Sequence, residues 1–162
     1  MNFTQKTLIL NLFTDGGSRG NPGPAGYGFV VYDVTNPSTT DSAKEGLPAD
    51  RHGAGIVLEK CGKYLGTQTN NQAEYEGLEA GVTWVLEHHP ESELNIFMDS
   101  LLIVNQIKGV YRVKHPMLTP YHRRIMAILR QISKYSIQHV RREYNTVADS
   151  LANIAMDNKL IG

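Results

Sequence analysis

The 162-residue chain holds a single cysteine, Cys61. One thiol excludes an internal disulfide and a cysteine-based zinc site, and it fits a reducing compartment; its expected place is that of a small buried hydrophobe. Long apolar runs are missing as well. Stretches such as 101–104 stop after a few residues, far short of the ~20 needed to span a bilayer, so no membrane partner is expected. The opening MNFTQKTLILNLFTDGG carries no basic leader or cleavage site, and the cytoplasm is therefore the expected location. Internal repeats, coiled-coil heptads and linkers are likewise absent. At roughly 150 residues per domain, 1–162 is expected to form one domain, with a monomer as the expected state.

Net charge is also lacking: 16 Lys+Arg balance 16 Asp+Glu. The balance conceals a segregation. Between Ser100 and Arg142 stand nine basic residues (Lys108, Arg112, Lys114, Arg123, Arg124, Arg130, Lys134, Arg141, Arg142) and no acid. A basic stretch in a neutral chain points to a polyanion met by one face.

Hydrophobic residues make up 41% of the chain, enough for a globular core, and their spacing supplies an architecture. Over 6–14, Leu8, Leu10 and Leu12 alternate with Ile9, Asn11 and Phe13, which predicts a strand with Asp15 following on the second face. DGGSRGNPGPAG (15–26), with five glycines and two prolines, reads as a loop. Strands are expected at 26–34 and 55–66, the latter bulged at Gly62, with the polar stretch 35–53 between them as a surface-loop insertion. Thr69-Asn70-Asn71-Gln72 fits a capping box opening a helix that runs to about His89 and buries Leu78, Gly81, Val82 and Val85. A strand at 94–99, a helix at 100–109, a helix over 119–134, a strand at 135–142 and a last helix capped by Asn145 or Thr146 complete the order. Three consecutive strands followed by helix–strand alternation predict an α/β fold: one five-stranded mixed sheet, three strands antiparallel and two parallel, flanked by helices. Trp84 is expected in the core and His139 half-buried beside Ile137.

Four acids occupy positions unusual for solvated carboxylates. Asp15 and Asp99 stand at the carboxyl ends of two strands, where α/β sheets commonly bind ligands. Glu74 lies one turn before Leu78, on the face turned to the sheet, and Asp149 falls in the first turn of the last helix. Each alone fits an ordinary turn, cap or helix-dipole role. Together, converging without basic partners, they would repel one another, and divalent cations relieve that penalty. An all-oxygen donor set favours Mg²⁺ or Mn²⁺ over zinc.

The blocks FTDGGSRGNPGPAGYGFVVY (13–32), TNNQAEYEGL (69–78), FMDSLLIVNQIKG (97–109) and REYNTVADSLAN (142–153) resemble type 1 ribonuclease H in order and spacing over nearly the whole chain. The resemblance implies a ribonuclease H-like fold and a metal-dependent endoribonuclease that hydrolyses the RNA strand of RNA/DNA hybrids, giving 5′-phosphate and 3′-hydroxyl ends. It maps the family's catalytic, metal-holding carboxylates onto Asp15, Glu74, Asp99 and Asp149. Two Mg²⁺ ions (Mn²⁺ in their place) ~4 Å apart would activate the attacking water and stabilise the leaving 3′ oxygen. Asp15 would bridge both ions, Glu74 and Asp99 would hold one side, and Asp149 the other. Gly16, Gly17 and Ser18 would let the backbone approach the RNA strand. Asn21, Asn70 and Asn71 match positions that contact the minor groove and ribose hydroxyls, and Thr69 one that holds a DNA-strand phosphate.

Three departures from the family pattern stand out. No histidine occurs at 141–148, where many members carry one, which leaves Arg142 or Glu143 as substitutes. The basic protrusion of many relatives is reduced to KGVYRVKHP (108–116), so hybrid binding would lean on Arg112, Lys114, Arg123 and Arg124. The 35–53 loop is longer than the usual turn. Two alternatives remain open at this point: a related nuclease acting on another duplex, such as a DNA junction or RNA/RNA, and a non-catalytic hybrid-binding module.

Overall fold

Alternation along the first strand sets the layering. A computed structural model of the chain describes residues 6–36 and 55–159. Apart from Thr35 and Asn36, the expected 35–53 loop therefore lies outside the described residues. Strands β1 (Ile9–Ser18), β2 (Gly23–Asp33), β3 (Ile56–Gln68), β4 (Glu93–Met98) and β5 (Lys134–His139) form one sheet in the order β3-β2-β1-β4-β5. The pairs β3–β2 and β2–β1 are antiparallel, while β1–β4 and β4–β5 are parallel. This is the five-stranded mixed sheet that the element order predicts.

Among the described residues four α-helices cover the sheet: α1 (Asn70–His88), α2 (Leu101–Ile107), α3 (Thr119–Leu129) and α4 (Thr146–Asn158). Leu10 and Leu12 point into the larger core cluster, with Leu78, Val82 and Val85 of α1, Ile103 and Ile107 of α2, and Ile125 and Leu129 of α3. Phe13, the residue after Leu12, points to the other face, where Val30, Tyr32 and Phe97 meet Ala148 of α4. Its ring stacks on Phe97 at 4.7 Å and meets Tyr32 edge-on at 5.9 Å. Trp84 is half-buried, packed against the larger cluster and stacked on His88. Cys61 is likewise half-buried.

Several expectations are corrected. The glycine-rich 15–26 segment is mostly strand: β1 continues through Ser18 and β2 begins at Gly23, with the turn confined to 19–22. Glycine there admits a neighbouring element, since a Cβ on Gly16 would come within 2.4 Å of the Ala73 carbonyl group on α1. Gly62 is not a bulge. It pairs in register with Gly28, and the extra residues lie at Leu58 and Leu65. Both glycines seat α4: a Cβ on Gly28 would stand 2.3 Å from the Ala148 oxygen, and one on Gly62 2.7 Å from the Leu151 oxygen. α3 ends at Leu129 rather than 134, because Gln131 and Ile132 turn their N–H groups to Ile128 and Leu129 in a tightened last turn before β5. β5 then spans Lys134–His139 instead of 135–142, and 142–144 form a single 3₁₀ turn. His139 is exposed rather than half-buried, since it stands at the end of this edge strand.

Gly28 lies opposite Asp15 in the β1–β2 register, so the close seat of α4 and the position of the first acid are one feature. Gly28→Ala should therefore force α4 outward. The expected loss is about 1–3 kcal/mol of unfolding free energy in urea titration; an unchanged midpoint would show that α4 does not depend on this contact.

Candidate active site

The pairing of β1 with β4 ends at Thr14 and Met98, so the next residues, Asp15 and Asp99, emerge side by side. Glu74 reaches them from the first turns of α1. That helix start is fixed by a complete capping box: Thr69 Oγ1 accepts the Gln72 N–H at 3.2 Å, and Gln72 Oε1 accepts the Thr69 N–H at 2.9 Å. Glu74 Oε1 in turn accepts the Gly16 N–H at 2.9 Å, which locks α1 to β1 beside Asp15. Asp15, Glu74 and Asp99 each offer a carboxylate oxygen within 4.8 Å of the others, and the first two are buried.

Asp149 enters from α4 and lines the same cleft without belonging to that compact set. Its backbone is held by Asn145, whose carbonyl accepts the Asp149 N–H at 3.1 Å. Asn145 does not cap α4 through its side chain, as the sequence suggests. It is buried, and its Nδ2 donates to the Thr14 carbonyl at 3.0 Å, joining α4 to the residue before Asp15.

Electrostatics follow from this crowding. Burial, then the charges of Glu74 and Asp99 and hydrogen bonding by Asp149, push Asp15 up to about 9. Burial and the Asp99 charge push Glu74 up to about 8, against the opposing pull of the Gly16 N–H and Arg142. Asp99 is also raised, chiefly by burial, with Arg142 lowering it. Arg142 is exposed on the rim, its Nη2 4.0 Å from Asp149 Oδ1. Hard oxygen donors, partial burial and unrelieved repulsion are what a divalent cation requires of a site, and the residues present fit one.

The cleft encloses 390 Å³, and besides the four acids it brings together Gly16, Gly17, Ser18, Asn70, Asn71 and Arg142. Asn70 Oδ1 accepts from the Ser18 N–H at 2.8 Å and from its hydroxyl at 3.2 Å, while Asn21 Oδ1 accepts the Asn70 N–H at 3.0 Å. An adjoining cleft of 340 Å³ holds Asn21 and Thr69 and shares Asn70 and Asn71. Arg112, Lys114 and Arg123 are exposed and line neither cleft. Arg124 also lies apart; it grips Glu79 of α1 with two hydrogen bonds of 2.7 and 3.0 Å and lies over the Tyr121 ring.

Sequence reasoning missed Arg19, Asn153 and Met156 in the main cleft and His115 in the second. Arg19 falls inside a motif already singled out, and Asn153 lies one helical turn after Asp149, so both were within reach of a spacing argument. His115 carries no such signal.

A mixed sheet with acids gathered where its parallel strands end is the mark of ribonuclease H-like proteins. The family model described as "Reverse transcriptase-like" matches residues 13–155. In structure, the chain is similar to the N-terminal RNase H domain of Rv2228c from Mycobacterium tuberculosis, with a TM-score of 0.78 and 38% identity over 94% of this chain and 96% of that one. It is also similar to RNase H1 from Halobacterium salinarum NRC-1, with a TM-score of 0.76 and 31% identity over 93% of this chain and 98% of that one. LC11-RNase H1, solved in complex with an RNA/DNA hybrid, gives a TM-score of 0.75 and 34% identity over 93% and 98% of the two chains. The chain belongs to the type 1 ribonuclease H family. It spans 34% of the full length of Rv2228c and 65% of the Halobacterium ribonuclease HI.

The raised acids give the pH dependence a definite sign. In the folded protein they hold protons that the unfolded chain releases near its ordinary carboxylate values, so stability is greatest in acid and falls as pH rises through about 8–9. Metal-free Asp15→Asn is expected to melt roughly 2–6 °C above wild type at pH 8 and to lose that advantage near pH 4. Calorimetry at the two pH values checks this; a variant less stable than wild type at pH 8 contradicts the repulsion.

Proposed function

We propose that the chain is a metal-dependent endoribonuclease that hydrolyses the RNA strand of RNA/DNA hybrids and leaves 5′-phosphate and 3′-hydroxyl ends. The observation that carries this reading is the gathering of Asp15, Glu74, Asp99 and Asp149 around one cleft whose wall is glycine backbone and asparagine side chains. Ribonuclease H relatives, one of them bound to a hybrid, support it.

Two divalent cations, which Asp15, Glu74, Asp99 and Asp149 would hold, would supply Lewis acidity toward water and toward charge on the phosphate oxygens. The chain's own contribution is arrangement. Glu74, fixed by the Gly16 N–H, and Asp99, at the end of β4, keep their oxygens beside Asp15 without a side-chain nucleophile. Gly17 leaves open backbone for the RNA strand, and the fixed Ser18–Asn70–Asn21 chain holds polar groups ready for ribose hydroxyls, which both donate and accept. Arg142, exposed beside Asp149, offers positive charge where many relatives carry a histidine.

Along the adjoining cleft the DNA strand would meet Thr69, whose Oγ1 already accepts a backbone N–H and keeps its own proton to donate to a phosphate. His115 Nδ1 accepts the Met117 N–H, which puts the neutral ring's proton on Nε2, a second donor in that cleft. Arg112, Lys114 and Arg123, exposed outside both clefts, would supply further charge to the phosphate backbone.

Wild-type protein with Mg²⁺ or Mn²⁺ should cut the RNA of a labelled hybrid in preference to duplex DNA or duplex RNA, and Asp15→Asn should lose about 10²-fold or more of kcat. Preferential cutting of another duplex, binding without cutting, or an active Asp15→Asn would each overturn the reading. The two adjacent arginines should separate. Arg123→Ala should reduce the slope of log affinity against log salt by about 0.9. Arg124→Ala should change it less, because that charge is already paired with Glu79. Equal slopes would place the hybrid elsewhere.

A further inference from the structure

Arg19 stands in the β1–β2 turn on the rim of the carboxylate cleft, and nothing above gives it a part. Its guanidinium crosses to α4. There Nη1 is ion-paired with Asp157, and Nη2 donates to Asn153 Oδ1 at 3.2 Å and to the Asn153 carbonyl at 3.5 Å. With its Oδ1 taken by Arg19, the Asn153 amide directs Nδ2 back along the helix to the Asp149 carbonyl at 3.0 Å. A continuous hydrogen-bonded chain therefore joins the turn that follows Gly16–Ser18 to the main chain of the fourth acid.

The fourth acid is the one whose place is least determined by the sheet. Asp15 and Asp99 sit at strand ends and Glu74 is tied to the Gly16 N–H, whereas Asp149 depends on how α4 lies. Asn145 holds the beginning of that helix to β1. Arg19 holds its second half to the hairpin, and its planar fork reaches Asp157 and Asn153 from two separate nitrogens in fixed directions, whereas an ammonium offers all its donors from one point. We propose that Arg19 is a positioning residue: through Asn153 and Asp157 it fixes α4 against the β1–β2 turn and so sets the distance of Asp149 from Asp15, Glu74 and Asp99. This inference rests on the hydrolytic reading above for its kinetic consequence and on the hydrogen bonds alone for its structural one.

Arg19, Asp157 and the turn are exposed, so the clamp contributes little to global stability and its loss is read in local order and rate. Arg19→Ala, Arg19→Lys, Asp157→Asn and the Arg19→Ala/Asp157→Asn double variant separate the possibilities. Amide hydrogen exchange of substrate-free protein should be faster over 149–153 in Arg19→Ala and Asp157→Asn, with Tm within about 2 °C of wild type. On a labelled hybrid, kcat should fall about three- to tenfold in Arg19→Ala with KM within about twofold, since a displaced group is lost from the transition state more than from binding. Lysine should not restore it, and the double variant should be no worse than Arg19→Ala. Unchanged exchange over 149–153 overturns the clamp. So do additive losses in the double variant, or a raised KM with a flatter salt slope, which would make Arg19 a direct phosphate contact. If wild-type protein cuts no hybrid, the hydrolytic reading fails, while the exchange result still decides the clamp.

Discussion

Three carboxylates within 4.8 Å of one another, two of them buried, are an arrangement that a folded chain resists, and most of the local structure around them is organised to impose it. The parallel pairing of β1 with β4 stops one residue short of Asp15 and Asp99. A capped helix start delivers Glu74, and a single backbone N–H, that of Gly16, compensates it. Burial, then mutual repulsion, raises all three acids above the ordinary carboxylate range. Cation binding would relieve this repulsion, so the same crowding that opposes the metal-free fold would favour a bound ion.

Close approach of backbone to backbone is the second device, and it depends on glycine. Gly16 admits α1, and Gly28 and Gly62 admit α4, each at a position where a Cβ would meet a main-chain or Cβ atom at under 3 Å. The two helices that carry Glu74 and Asp149 are thus drawn onto the strand that carries Asp15. Asparagines finish the work: Asn70 and Asn21 bind the hairpin to α1, and Asn145 binds α4 to β1. Asn21 and Asn70 are residues that the family resemblance marks for substrate recognition. In the folded chain part of their hydrogen-bonding capacity is structural, which fixes the direction of what remains.

Much of this was legible beforehand. Period-two alternation located β1 and its two faces, the capping box located the start of α1 to the residue, and the four acids announced themselves by position. The misreadings have physical sources. DGGSRGNPGPAG looked like a loop because glycine and proline usually break strands, whereas here glycine makes room for α1 beside an extended backbone. Gly62 looked like a bulge for the same reason, when its absent side chain makes room for α4. The end of α3 at Leu129 carries no glycine or proline, so nothing in RQISK marked the turn into β5. Arg124 looked like a free cation because its partner, Glu79, lies 45 positions away on another helix. Distant pairing of this kind is set by tertiary packing, which local periodicity cannot encode.

On the proposed function, these four acids are folded together to hold paired divalent ions. The most direct measurement is an anomalous-difference map from crystals grown with Mn²⁺ and a hybrid, using an inactive Asp15→Asn protein beside wild type. Wild-type crystals should show two peaks among Asp15, Glu74, Asp99 and Asp149, with at least one lost from the variant. A cleft without anomalous density in the wild-type complex, or ions bound away from these carboxylates, would contradict it.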